Sequence, residues 1–505
     1  MGIEKIAYTD LISRFGLDVT EPPIASFLLD RGSRRTQIVG GRREEYYPPR
    51  DNPGPHWIDH LKFALKHEGV NLEVLSALFQ AAPTRDLTAW IKKSPTSRYT
   101  RTAWFLYEWL SNKELPVSDL NRGNYFTVLD PKKYYAIPRE KGATAEKRYR
   151  VLNNLLGQPA YCPIVRRTEE LSRFEGLRLD KRAADLIKTY PSELLYRAAQ
   201  YLFAKETKSS YAIEHLTSDK RRTARYVALL QQAGNFDCFS EAELIRLQNV
   251  IVEDRYAAAG FRDFQNYVGQ SLGPMRELVH YVPPKSENLS GLMDGWMSTC
   301  RRMQAGEPHP VVTAAVAGFG FVFLHPFDDG NGRLHRFLLH HVLAAAGFSP
   351  PGMVFPVSAT MLKQMSRYDA MLEAYSREIA KHVEYELDDE GSMTVTNDTL
   401  GFYCYPDLTM QAEALFGFIQ ETIETEMVSE LEYLAAFDSA TKRIRRVVDM
   451  PDRRLSLFIR LCLQGKGRLS KSKRKQFKEL TDEECVQLEG IVAAEISRLK
   501  GLTGE

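Results

Sequence analysis

Residues 325–336 read HPFDDGNGRLHR and put a proton acceptor, a carboxylate, a run of small residues and two cations within one short segment. His325, with an ordinary pKa near ~6.5, takes a proton from a hydroxyl nucleophile at cellular pH. Asp329 is an oxygen ligand of the kind Mg2+ accepts, a cation that bridges phosphates with few protein groups. Gly330, Asn331 and Gly332 let the backbone come close to a ligand, and free N–H groups at a helix start favour anions. Arg333 and Arg336 share a helix face and suit non-bridging phosphate oxygens. A lone histidine, one Gly-x-Gly or one Arg pair would each read as ordinary structure. Together they fit an anion site, and the chemistry it serves is phosphoryl or nucleotidyl transfer.

Helices must position these groups. Apolar residues at helical spacing flank the motif over 311–324 and 332–346. Further helices are predicted at 56–80 with a break at Gly69, 102–110, 183–188, 194–203, 219–233, 241–252, 292–303, 361–385, 408–437 and 456–499. The stretch 22–55, rich in proline and charge, reads as irregular, and 117–157 reads as a linker. Tyr267, Val268 and Gly269, then Val279, His280, Tyr281 and Val282, predict two short strands forming a hairpin before Pro283. The expected class is mostly α, with three parts. These are a helical N-terminal domain at 1–150, a core at 151–395 with a β-hairpin flap near 264–284, and a helical C-terminal extension at 396–505.

The rest of the chain narrows the setting. At 505 residues it is long enough for several domains. A net charge of +2 exerts no global pull on nucleic acid or anionic membrane, so any basic effect must be local. The local cluster Lys466, Arg468, Lys471, Lys473, Arg474, Lys475 and Lys478 leaves nucleic acid as a minor alternative to a solvated face. The six cysteines are scattered and include no CxxC pair, which argues against a zinc site and suits a reducing compartment. No signal-peptide layout opens the chain, and its most apolar stretch is too short to span a bilayer. A cytoplasmic protein without a membrane partner is the expectation.

The motif resembles the Fic-family signature, His-Pro-Phe-x-(Asp/Glu)-Gly-Asn-Gly-Arg-x-x-Arg, at every fixed position. The likeness extends from about Lys205 to Tyr385 and includes the hairpin ending HYVPP. The later segment GKGRLSKSKRKQF…LTDEE is similar to the tail of longer bacterial members. The resemblance implies a Fic-type helical core and transfer of AMP from ATP to a Tyr, Thr or Ser hydroxyl of a target protein, and of the chain itself. It gives His325 the role of base, Asp329 that of Mg2+ ligand, and Gly330, Asn331 and Gly332 that of anion hole. Arg333 and Arg336 would hold the phosphates, and the flap would dock an extended stretch of the target by strand addition.

It also implies an inhibitory helix near 205–216, with the pattern Ser/Thr-x-x-x-Glu-Gly/Asn. Ser210 and Glu214 match that pattern, and His215 stands where Gly or Asn is expected. Glu214 would pair with Arg336 in the place of the γ-phosphate. The stretch 368–376 resembles a helix lining the adenine pocket, with Tyr368 and Ser376 as its candidates. Two alternatives stay open. The same site could move another phosphate-containing group or remove AMP, or the chain could be a nucleotide-sensing DNA-binding regulator. Self-association is also left open.

Overall fold

The computed structural model describes residues 3–217, 219–271 and 277–503. It is mostly α, as the periodicity predicts, with four small sheets among the described residues. At its centre lies the helix Pro310–Leu324, almost wholly buried among apolar neighbours. Proline at its first position supplies a pre-set φ and removes an N–H that would lack a partner, while the His309 ring accepts from Val311 N at 3.2 Å. The motif helix Asn331–Ala345 packs against it, and residues 325–330 form the loop between them. Nearly every side chain from Asn331 to Leu343 is buried, including both motif arginines. An element so enclosed has its side-chain positions fixed by packing on all sides.

Around this pair stand the long helix Ser192–Ile213, here termed the arm helix, and the helices Ser286–Gly306 and Met365–Ala380. The strands Val268–Ser271 and Glu277–Tyr281 pair antiparallel as the hairpin predicted from sequence, with a register shift at Val268/Gly269. Its turn lies outside the described residues. Tyr281 Oη donates to the Phe323 carbonyl at 2.5 Å, which anchors the flap's base to the central helix.

The N-terminal part, expected as a helical domain, also holds a sheet. Strand Ile24–Leu29 pairs antiparallel with Ile3–Ile6 and parallel with Arg42–Tyr47, and the latter pairs antiparallel with Arg35–Val39. This sheet occupies the stretch read as irregular. Arg35–Val39 is exposed along its whole length and Arg42–Tyr47 opens with four charged residues, so neither shows the apolar alternation of a half-buried strand.

The stretch read as a linker is also structured. Val151–Asn153 pairs with Phe126–Thr127 and Thr144–Glu146 across the boundary set at residue 150, and one hydrophobic core runs from Ile6 to Met427. A separate small core begins at Ala440, with Leu455, Phe458, Phe477 and Leu488 among its members. The helix Thr409–Glu421 belongs to the main core, where Phe416 stacks on Phe174 at 5.4 Å. By packing, the C-terminal unit therefore starts nearer residue 440 than 396.

All six cysteines are buried free thiols. Among the described residues, no helix is long and apolar enough to cross a membrane.

Candidate functional site

The motif loop begins where the central helix ends. His325 caps that helix with φ of 50°, a left-handed turn that swings the chain out of the helical path. Its ring Nδ1 lies 3.1 Å from the Val322 carbonyl. A carbonyl only accepts, so Nδ1 carries the proton and Nε2 keeps a free lone pair. Burial drives the imidazole down to about 4, with a smaller push from Arg262, against the raising effects of Val322 and Asp329. The ring is therefore neutral at cellular pH, its free-base form fully populated although its basicity is lowered.

The loop is then pinned from inside. Asn331 donates from Nδ2 to the Phe327 carbonyl at 2.7 Å and accepts from Phe327 N at 3.0 Å. Its side chain thus serves the loop, and only its backbone N–H remains for an anion. Gly330 has φ of 87°, and a Cβ there would come within 2.7 Å of Val252 Cγ1, so glycine is required by conformation and by space.

The two arginines differ in exposure to ligand. Arg336 lines the cavity, whereas Arg333 is not among its lining residues. Arg333 is 1% exposed and sits behind the wall, with Nη2 2.6 Å from Asp329 Oδ1 and Nε 2.7 Å from Glu214 Oε2. Arg336 is equally buried; its Nε donates to Ser210 Oγ at 2.8 Å, and its Nη2 to the Ser210 carbonyl and Glu214 Oε1, each at 2.7 Å.

Glu214 thus bridges both guanidinium groups. Its carboxylate crowds Gly332 so closely that a Cβ there would lie 2.5 Å from Oε1. The arm helix ends at this point in a Schellman motif: His215 N donates to the Ala212 carbonyl and Leu216 N to the Tyr211 carbonyl, both at 3.0 Å. His215 holds the left-handed position, φ 56°, at which Gly and Asn are favoured for their low strain. The histidine adopts that geometry, and Glu214 reaches its partners.

These groups line a cavity of about 660 Å3, a volume in the range of small-ligand and cofactor sites. His325, Asp329, Gly330, Asn331, Gly332, Arg336 and Glu214 face it, together with Tyr267, Val268, Gly269, His280 and Tyr281 of the flap region. Val279 and Val282 do not line it; the carbonyl of Val282 instead accepts from Tyr403 Oη at 2.7 Å. Tyr368 and Ser376 also line it, with Met365, Asp369, Leu372 and Glu373.

Sequence reasoning missed the residues that hold the loop from outside. Arg262 donates from its backbone N to Pro326 O at 2.8 Å and from Nε to His325 O at 2.9 Å. Its two terminal nitrogens reach Phe264 O at 2.8 Å and Pro284 O at 2.5 Å, at the two feet of the flap. Gln248 Nε2 holds the Asp329 carbonyl at 3.1 Å. Neither lies within the motif. No spacing in the chain marks them, because the motif carbonyls that they hold lie 63 or more residues away.

For Mg2+, the fit rests on donor chemistry. Asp328 and Asp329 both line the cavity with hard oxygen donors, though Asp329 Oδ1 already accepts from Gly330 N at 2.7 Å as well as from Arg333. Among the described residues no group of three or more His, Cys, Asp or Glu side chains could hold a metal ion.

With this geometry defined, relatives can be compared. Residues 238–343 match the Fic/DOC family model. Those residues therefore form a Fic/DOC family domain within the longer chain. It is 41% identical over 90 residues to "Protein adenylyltransferase Fic" of Aedes aegypti, covering 18% of this chain and 16% of the relative. The protein of the same name from Drosophila grimshawi is 31% identical over 175 residues, 34% of this chain and 31% of the relative. "Protein adenylyltransferase fic-1" of Caenorhabditis briggsae is 30% identical over 177 residues, 34% of this chain and 32% of the relative. The chain thus spans about a third or less of the length of these curated relatives. A crystal structure of a Fic family protein from Desulfovibrio desulfuricans G20 aligns with a TM-score of 0.38 and 14% identity, over 64% of this chain and 85% of that one.

Proposed function

We propose that this chain is a protein adenylyltransferase that moves AMP from ATP to a Tyr, Thr or Ser hydroxyl of a target protein and of itself, restrained by Glu214. The observation that carries this reading is the neutral imidazole of His325, whose Nδ1 proton is spent on Val322 and whose Nε2 is left as acceptor at a nucleotide-sized cavity. The names of the relatives support the same reaction class.

In the reaction, His325 Nε2 takes the hydroxyl proton as the alcohol oxygen attacks the α-phosphorus. The new O–P bond forms while the bond from that phosphorus to the bridging oxygen of the β-phosphate breaks, and pyrophosphate leaves. Backbone N–H groups at the start of the motif helix meet the negative charge that develops. Arg336 holds the outer phosphates. Asp329 would hold Mg2+, which when bound neutralises phosphate charge. The flap region offers strand edge and side chains beside His325 for an extended segment of the target.

In the restrained state Glu214 neutralises Arg336 and stands where the outermost phosphate would bind. Its exchange for glycine also removes the carboxylate pressed against Gly332.

Incubation with labelled ATP tests the proposal. The Glu214→Gly protein should label itself faster than wild type, each event adding about 329 Da by the chemistry of nucleotidyl transfer, and His325→Ala should not label. Equal labelling of both variants would refute the roles given to these residues. A mass gain of another size would shift the reading to transfer of a different group.

A further inference from the structure

Glu206, eight residues before Glu214 on the arm helix, is completely buried, and so is its partner Ser358. Its Oε1 lies 2.7 Å from His340 Nε2 and also accepts from Ser358 Oγ, while Oε2 accepts from Ser358 N at 2.8 Å. Both carboxylate oxygens are therefore satisfied by groups on two other elements, the motif helix and the segment opening at Val357. A carboxylate removed from water in this way is costly unless fully bonded, so it fixes its helix in one place once bonded.

The spacing gives the cluster its meaning. Glu206, Ser210 and Glu214 follow one another at intervals of four and lie on one face of the arm helix, with Glu214 at its end. Arg333, Arg336 and His340 lie on the facing stripe of the motif helix. The two helices thus meet in three polar layers: Glu206 with His340, Ser210 with Arg336, and Glu214 with both arginines. Of the three arm-helix residues only Glu214 lines the cavity; Glu206 lies about 12 Å away along the helix. A rotation of the arm helix by one residue, about 100°, would carry Glu206 and Glu214 off their partners together.

We propose that Glu206 and His340, with Ser358, form a positioning pair that sets the rotation and register of the arm helix and so decides how firmly Glu214 holds the arginines. This rests on the reading that Glu214 restrains the site. Neither residue touches the cavity, so loosening the pair weakens the restraint and leaves the nucleotide-binding groups intact.

The test measures self-labelling from α-labelled ATP by the full chain, with Glu206→Ala and Glu206→Gln each made in the wild-type and Glu214→Gly backgrounds. In the wild-type background Glu206→Ala should raise labelling about tenfold, the scale set by losing hydrogen bonds to a charged group. Glu206→Gln should give a smaller rise of about threefold, because the neutral amide accepts through one oxygen where the carboxylate accepts through two. In the Glu214→Gly background neither change should alter the rate. A merely structural role predicts instead a fall of similar size in both backgrounds, and that result overturns the proposal. So does a folded Glu206→Ala protein that labels at the wild-type rate. Should Glu206→Ala fail to melt cooperatively, Glu206→Gln decides alone, and wild-type labelling by it overturns the pair's role. If Glu214→Gly itself labels no faster than wild type, the restraint by Glu214 fails, and the positioning role falls with it.

Discussion

Arg262 and His325, 63 positions apart, are joined by a hydrogen bond of 2.9 Å from the guanidinium Nε to the histidine's own carbonyl oxygen. The same guanidinium reaches Phe264 and Pro284 at the two feet of the flap, so one side chain ties the motif loop to the hairpin that would dock a target. Burial lowers its pKa to about 10, which leaves it cationic at neutral pH.

Lysine cannot reproduce this fork, having one nitrogen where Arg262 uses three. Arg262→Lys in the Glu214→Gly background should lower the rate of self-labelling by about 10- to 100-fold, the scale of a misplaced catalytic group. Nucleotide affinity by calorimetry should stay within a factor of about three, because no nitrogen of Arg262 faces the cavity. A large loss of affinity with an unchanged rate would contradict the assignment.

The pH dependence follows from His325. Burial holds its folded pKa at about 4, so the free-base form persists throughout the neutral range. A base titrating near ~6.5 would lose about fourfold in rate between pH 8 and pH 6. The Glu214→Gly protein at saturating nucleotide should instead change by less than about twofold over that span. Substituting Arg262 by Gln removes a charge that lowers the imidazole, so the acidic limb should move upward in pH. An unshifted limb in that variant would remove Arg262 from the electrostatics of the base.

Asn331 makes a separate case. Losing its side chain strands the buried N–H and carbonyl of Phe327, a cost of about 1–3 kcal/mol for each unsatisfied group. Asn331→Ala should therefore lower the melting temperature as well as nucleotide binding. A variant with full thermal stability but no binding would instead mark the amide as a direct ligand.

How much of this the sequence disclosed depends on the kind of interaction. The central and motif helices were legible because apolar periodicity and the loop between them are local signals. The hairpin was legible from two short β-branched and aromatic runs before a proline pair. Glu214 was legible only through the resemblance to the family's inhibitory pattern, and its bridge to Arg333 as well as Arg336 depends on how two helices face each other. The N-terminal sheet was not legible, since Arg35–Val39 is wholly exposed and Arg42–Tyr47 begins with charge. Arg262, Gln248 and Glu206 were invisible for another reason: their partners lie 63, 81 and 134 or more residues away. One of those partners is a side chain that looks like any other histidine.

Glu68, 6% exposed in the N-terminal part, leads to a prediction that does not depend on the proposed chemistry. Burial raises its carboxyl to about 8, against a smaller lowering from Ser26. In the unfolded chain it titrates near ~4.3. Below that pH both states are protonated and the group costs nothing. As pH rises toward 8 the unfolded chain releases a proton that the folded chain retains, so stability falls across this window, and the loss is complete once pH passes about 8. Glu68→Gln keeps the shape and removes the titration. Its melting temperature should exceed that of wild type by several degrees at pH 8.5, and the difference should shrink toward zero at pH 4.5. A constant difference at both pH values would mean that Glu68 is ionised in the folded protein, stabilised by a partner such as Ser26 more strongly than its burial suggests.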